Sequence, residues 1–168
     1  MLTLYLLRHA KSSWDDPSLA DHDRPLAPRG KRDSKRIGTE VRRLDPTPEL
    51  VLCSTSARTT ETLKRLGDAV KGAEVSVEDE IYAASAGELL ARLHAVPDEI
   101  GAVLVIGHNP GLQDLALLLA AGGVELERLR AKYPTAALAS LAIKRASWSE
   151  LGPGDAELVG YVVPRELG

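Results

Sequence analysis

The chain holds a single cysteine, Cys53, among 168 residues. That excludes an internal disulfide framework, and a lone thiol fits a reducing compartment. Long apolar runs are missing too: no stretch approaches the roughly 18 residues that span a bilayer. The opening run Met1 to Leu7 is too short for a signal h-region, has no basic segment before it and no small-residue cleavage site after it. A cytoplasmic location without a membrane partner is the expectation. Nor is there an excess of positive charge. Twenty-one basic and 24 acidic side chains leave a net charge of −3, without the basic footprint of a nucleic-acid binder. Aromatic residues, at 4%, offer no obvious interface patch, and there is no internal repeat, linker or low-complexity segment.

What is present is an ordinary globular balance, 44% apolar and 27% charged. The length suits one domain over residues 1–168, with a core of real size. Short apolar segments read as strands at 2–7, 50–53, 74–77 and 102–106. The last of these is continuous enough for burial on both faces. Two more, at 137–143 and 157–163, flank the Gly152 to Gly154 turn. Helical spacing appears between them at 28–44, 59–70, 86–95 and 110–121, the last apolar almost all round and therefore expected to be well buried. Strand–helix alternation predicts an α/β three-layer sandwich with a mostly parallel central sheet flanked by helices.

In such sheets ligands sit beyond the carboxyl ends of the strands. The first strand is followed by Arg8, His9, Lys11 and Ser12; the second by Ser54, Thr55, Ser56 and Arg58; the fourth by Gly107, His108, Asn109 and Pro110. Three strand ends thus deliver two arginines and two histidines toward one edge. Arginine offers a planar, permanently charged fork that matches phosphate oxygens. A histidine near its usual pKa presents a free ring nitrogen as nucleophile. A second one, protonated beside an anion, can donate to a phosphate oxygen. His22 and His94 read as a polar-loop residue and an exposed helix-turn residue. A metal site is disfavoured because Arg8 adjoins His9 and carboxylates are sparse beside these histidines. Cys53 does not suit a cysteine-based phosphatase: only four residues separate it from Arg58, and none is glycine. It reads instead as a buried thiol.

These residues resemble the histidine phosphatase superfamily, the fold shared by phosphoglycerate mutases and acid phosphatases. The resemblance is carried by Leu7-Arg8-His9-Ala10, by Ser54-Thr55-Ser56-Ala57-Arg58 and by Val105-Ile106-Gly107-His108-Asn109-Pro110, in the family's order. Within it the chain is similar to the small SixA-like branch, whose type member is a phosphohistidine phosphatase. The form His9-Ala10-Lys11-Ser12 supports this, as does the content of Asp23-Arg24-Pro25-Leu26-Ala27-Pro28-Arg29-Gly30.

The resemblance implies His9 as phosphoryl acceptor, Arg8, Arg58 and His108 around it, and no cofactor or metal. Glu80 is a candidate leaving-group acid, with a solvated acidic loop as the alternative. Lys11, Ser12, Arg24 and Asn109 are candidate substrate contacts, although Lys11 and Arg24 could equally pair with Asp15, Asp21 or Asp23. Residues 15–23 are expected to form a loop near the pocket, with Trp14 at its mouth or simply packed. The implied substrate is a phosphohistidine protein or a small phosphorylated molecule. Rival readings are a mutase or phosphatase for a sugar or nucleotide phosphate, and a phosphate-binding module without turnover.

Overall fold

A computed structural model describes residues 1–167. Seven strands form one sheet: β1 (Leu2–Arg8), β2 (Leu50–Ser54), β3 (Glu74–Glu78), β4 (Ala102–Gly107), β5 (Ala120–Gly122), β6 (Leu138–Ile143) and β7 (Ala156–Val162). Their spatial order is β3-β2-β4-β1-β6-β7-β5. β6 alone runs against the others, pairing antiparallel with both β1 and β7. The expected mostly parallel sheet is therefore present, with one reversed strand inside it.

The helices are α1 (Pro28–Arg42), α2 (Ala57–Leu66), α3 (Ala86–His94), α4 (Gly111–Leu119) and α5 (Leu126–Ala131). Side-chain alternation along the strands separates two cores. Leu4, Leu6, Val103 and Val105 pack toward α3, α4 and α5, whereas Tyr5, Leu7, Leu104 and Ile106 pack toward α1 and α2. This is the three-layer sandwich, with β1 and β4 buried on both sides. β3 is an edge strand with Val75 and Val77 exposed, which explains its weak apolar signal.

Two expectations need correction. The stretch 110–121 is not buried all round: α4 buries Leu112, Leu115, Ala116 and Leu119 while Asp114 and Leu118 face out. It ends at Leu119, where Ala120–Gly122 turns into β5 and Gly123, at φ +142°, lies flat against the Leu158 carbonyl. The helix after β2 begins two residues before Thr59 and stops at Leu66. There Gly67, at φ +59°, turns the chain into a 3-10 segment.

Packing also fixes the site's floor. A Cβ on Gly30, in the first turn of α1, would lie 2.1 Å from the Lys11 carbonyl oxygen. Gly30→Ala therefore has to push α1 away from the segment that carries His9. The expected cost is about 2 kcal/mol, roughly 4–8 °C in Tm for a chain of this size, which scanning calorimetry would read.

Candidate active site

Each strand end delivers a side chain held by its own local structure. His9 follows β1, with its backbone N–H bonded to the Gly107 carbonyl at the end of β4. Arg58 sits in the first turn of α2, whose start is capped by the Ser56 hydroxyl accepting from Thr59 N–H. Thr62 ties this turn to the segment after β1: its hydroxyl donates to the Arg58 carbonyl at 2.7 Å and accepts from Ala10 N–H at 3.1 Å. Ala136 adopts a left-handed backbone, φ +61°, a conformation that strains an L residue. Its N–H donates to the carbonyls of both Arg8 and His9.

The four residues expected to meet do meet. The His9 and His108 ring centroids are 5.3 Å apart, and Arg58 Nη2 lies 3.5 Å from His108 Nδ1. Arg8 Nη1 donates to the Tyr133 carbonyl at 2.9 Å, while its buried Nε has no partner within the protein. Burial, and then repulsion from Arg58, work against the Arg8 charge. Arg8 thus keeps a buried donor for an anion, beside an Arg58 guanidinium whose Nη1 and Nη2 both donate to Asp21.

The electrostatics set the tautomers. His9 Nδ1 is 2.7 Å from the Ala10 carbonyl oxygen, so Nδ1–H donates there and Nε2 keeps its lone pair. Burial is the main force pushing the His9 pKa down to about 3, reinforced by His108, Arg58 and Arg8. His108 is pushed down to about 4, by burial first and Arg58 second, and its Nε2 is 2.8 Å from Ser54 Oγ.

Both values lie below the ordinary 6.5, so the unfolded chain takes up these protons first. Their contribution to stability is complete above pH 6.5 and is lost as pH falls toward 4 and then 3. The expected result is a Tm that declines over that window, and a decline that is shallower in His9→Ala; thermal melts across the pH range check it.

Several further side chains surround the quartet. Asp21 places its carbonyl 2.8 Å from Arg58 Nη1 and its carboxylate 3.0 Å from Arg58 Nη2. The same carboxylate accepts from Tyr82 O–H at 2.6 Å and from Arg24 Nη1 at 3.1 Å. The hydrogen bond from Tyr82 is the leading cause that brings Asp21 down to about 2. Tyr82 stands edge-on to both His108 and His22, and His22 Nε2 reaches Thr55 Oγ1 at 2.9 Å. His22 is thus a flank of the site rather than a residue of a free polar loop, whereas His94 lies elsewhere, its Nε2 2.7 Å from the Leu151 carbonyl.

The remaining candidates are placed as follows. Glu80 is exposed on a 3-10 turn, next in charge to Arg92; the carboxylate hydrogen-bonded to the quartet is Asp21. Ser12 is buried and accepts from Arg24 Nη2, while Arg24 Nε donates to the Ser13 carbonyl and its guanidinium stacks 3.2 Å from the exposed Trp14 ring. These partners make Arg24 the clasp of the 12–24 loop. Asn109 bonds Gln113 in the first turn of α4 and shares the Tyr133 carbonyl with Arg8. Lys11 is half-buried, and its carbonyl accepts from Ala27 N–H. Cys53 is fully buried and burial lifts its thiol to about 12. Among the described residues no cluster of three or more His, Cys, Asp or Glu side chains could hold a metal ion.

Known proteins share this framework. The chain is 39% identical over 163 residues to an uncharacterised protein of Mycobacterium tuberculosis, covering 95% of this chain and all of that protein. A structure from Nakamurella multipartitia, provisionally named phosphohistidine phosphatase SixA, superposes with TM-score 0.81 at 33% identity, covering 97% of this chain and 96% of that one. The tungstate complex of the protein histidine phosphatase SixA matches in fold, with TM-score 0.77 at 24% identity over 99% of this chain and 100% of that one. The model of the histidine phosphatase superfamily, branch 1, matches residues 4–100. That model spans more than half of the chain, and together with the SixA-like sheet it shows that the chain belongs to the histidine phosphatase superfamily.

Proposed function

We propose that this chain is a metal-independent phosphohistidine phosphatase that carries the phosphoryl group on His9. The observation that carries the reading is the buried, neutral His9 imidazole, its Nδ1–H tied to Ala10 and its Nε2 lone pair free beside two arginines. A binding module would gain nothing from a nucleophile kept unprotonated. Neutral His9 attacks phosphorus in line through Nε2, and the substrate's N–P bond breaks. The departing imidazole leaves protonated or takes a proton from water, so a dedicated acid at Glu80 is not required. Arg8 and Arg58 hold the equatorial oxygens as charge redistributes. The phosphoryl dianion also supplies the negative charge that lets His108 take a proton at Nδ1 and donate to a third oxygen. Water then attacks phospho-His9, the second N–P bond breaks, and inorganic phosphate leaves with His9 neutral again.

The SixA structures of N. multipartitia and Agrobacterium tumefaciens, both provisionally named phosphohistidine phosphatases, support a phosphohistidine substrate over a phosphoester. No helix among the described residues is long and apolar enough to cross a membrane. A reaction in the cytoplasm, on a histidine-phosphorylated protein, is the setting we infer.

The test is phosphate release in excess chelator from a phosphohistidine protein and a panel of sugar and nucleotide phosphates. Fast release from the phosphohistidine protein and slow release from the esters is expected. Preference for one ester would overturn the substrate, and dependence on added metal would overturn the mechanism.

A further inference from the structure

The surface carries a groove of about 660 Å³ between the first half of α1, the 131–135 segment and residues 161–165, lined by none of the quartet. Its lining holds six cationic side chains and one carboxylate, Asp33, in a chain whose net charge is −3. Some of that charge is already compensated. Asp33 pairs with Arg29 and Arg36 at 3.6 Å each, and Arg128 is held by Glu125 and Glu166. Arg32, Lys132 and Arg165 are exposed and hold no ion pair among the described residues. Arg29, Arg32 and Arg36 recur at helical spacing, so they form a stripe about 10 Å long on one face of α1.

The groove is built onto the catalytic frame. Thr135, in its wall, precedes Ala136, whose N–H holds the Arg8 and His9 carbonyls. Arg29, in the opposite wall, precedes Gly30, which backs onto the Lys11 carbonyl. A macromolecule seated here would lie against the segments that present His9.

We propose that this groove docks an acidic segment of the phosphoprotein substrate, a reading that rests on the phosphohistidine phosphatase function above. Forked guanidinium groups at helical intervals match a row of carboxylates. A nucleic acid fits less well, because the one aromatic ring in the lining, Tyr161, is buried with its hydroxyl bonded to the Lys132 carbonyl, leaving no stacking platform.

The test uses Arg32→Glu/Arg165→Glu, which touches neither the quartet nor an observed ion pair. With an acidic phosphohistidine protein as substrate, kcat/KM should fall about tenfold or more through KM. With free phosphohistidine it should stay within about twofold of the parent. Equal effects on both substrates, or none, would overturn docking.

A second measurement stands apart from turnover: fluorescence anisotropy of a peptide of about eight glutamates, long enough to span the stripe, in saturating orthophosphate. Binding to the parent and not to the variant supports the groove. Absence of binding, or tighter binding of an oligonucleotide of equal charge, overturns it. A parent inactive on both phosphohistidine substrates would defeat the catalytic reading, while the anisotropy would still decide the groove.

Discussion

His9→Ala is expected to abolish turnover, lowering kcat by at least about four orders of magnitude, with the fold retained. The chemical reason is that both steps of the proposed mechanism pass through His9 Nε2, and no neighbour can replace it. His108 is 5.3 Å away between ring centroids, but its Nε2 faces Ser54, and its Nδ1, protonated in that mechanism once the phosphoryl group is bound, has no lone pair to offer. Cys53 is buried with its thiol lifted to about 12, so it supplies no thiolate. The structural reason is that the His9 ring makes a single, local hydrogen bond, to the carbonyl of the next residue. The backbone contacts that place it, to Gly107 and Ala136, survive the substitution. Single-turnover release of phosphate, with circular dichroism alongside, separates the two parts. Retention of near-native rate would end the covalent mechanism.

Arg58→Ala should come next in size, at about 10³-fold in kcat/KM. Arg58 combines two roles: its fork can grip phosphate oxygens, and its charge helps keep His108 unprotonated until an anion arrives. Removing it weakens the grip and leaves His108 easier to protonate in the empty enzyme. Arg58→Lys should recover only a small part of the loss, since an ammonium lacks the planar fork. Asp21 keeps Tyr82 and Arg24 as partners, so stability should change little. Steady-state kinetics with a phosphohistidine protein, and orthophosphate inhibition measured on the same variants, would read both effects. A lysine variant as fast as the parent would show that Arg58 acts only as a point charge.

The quartet was legible because its members lie within a few residues of the ends of strongly apolar strands. β1, β2 and β4 announce themselves by composition, and the geometry of parallel sheets does the rest. β5 and α5 were not legible. A three-residue strand following directly on a helix carries no periodicity, and α5 is a charged single-sided turn that buries only Leu129. Asp21 and Tyr82 were missed for another reason. They are 61 positions apart, and their contact depends on how the 12–24 loop folds back over α2. Tyr82 could have been reached: it follows β3 by four residues, and the rule that singled out Glu80 there applied equally to its neighbour. Arg24 illustrates the limit of residue type as evidence. A buried arginine near a phosphate site looks like a ligand, yet here its donors meet Ser12, Ser13 and Asp21.

The Asp21 carboxylate and carbonyl both accept from the fork of Arg58. The protein thereby contains its own competitor for the anion. On the proposed mechanism, a phosphoryl group that engages the Arg58 fork exchanges with Asp21, one negative ligand for another. Orthophosphate alone would have to win that exchange with its own oxygens, whereas a substrate with additional contacts elsewhere is better able to displace Asp21.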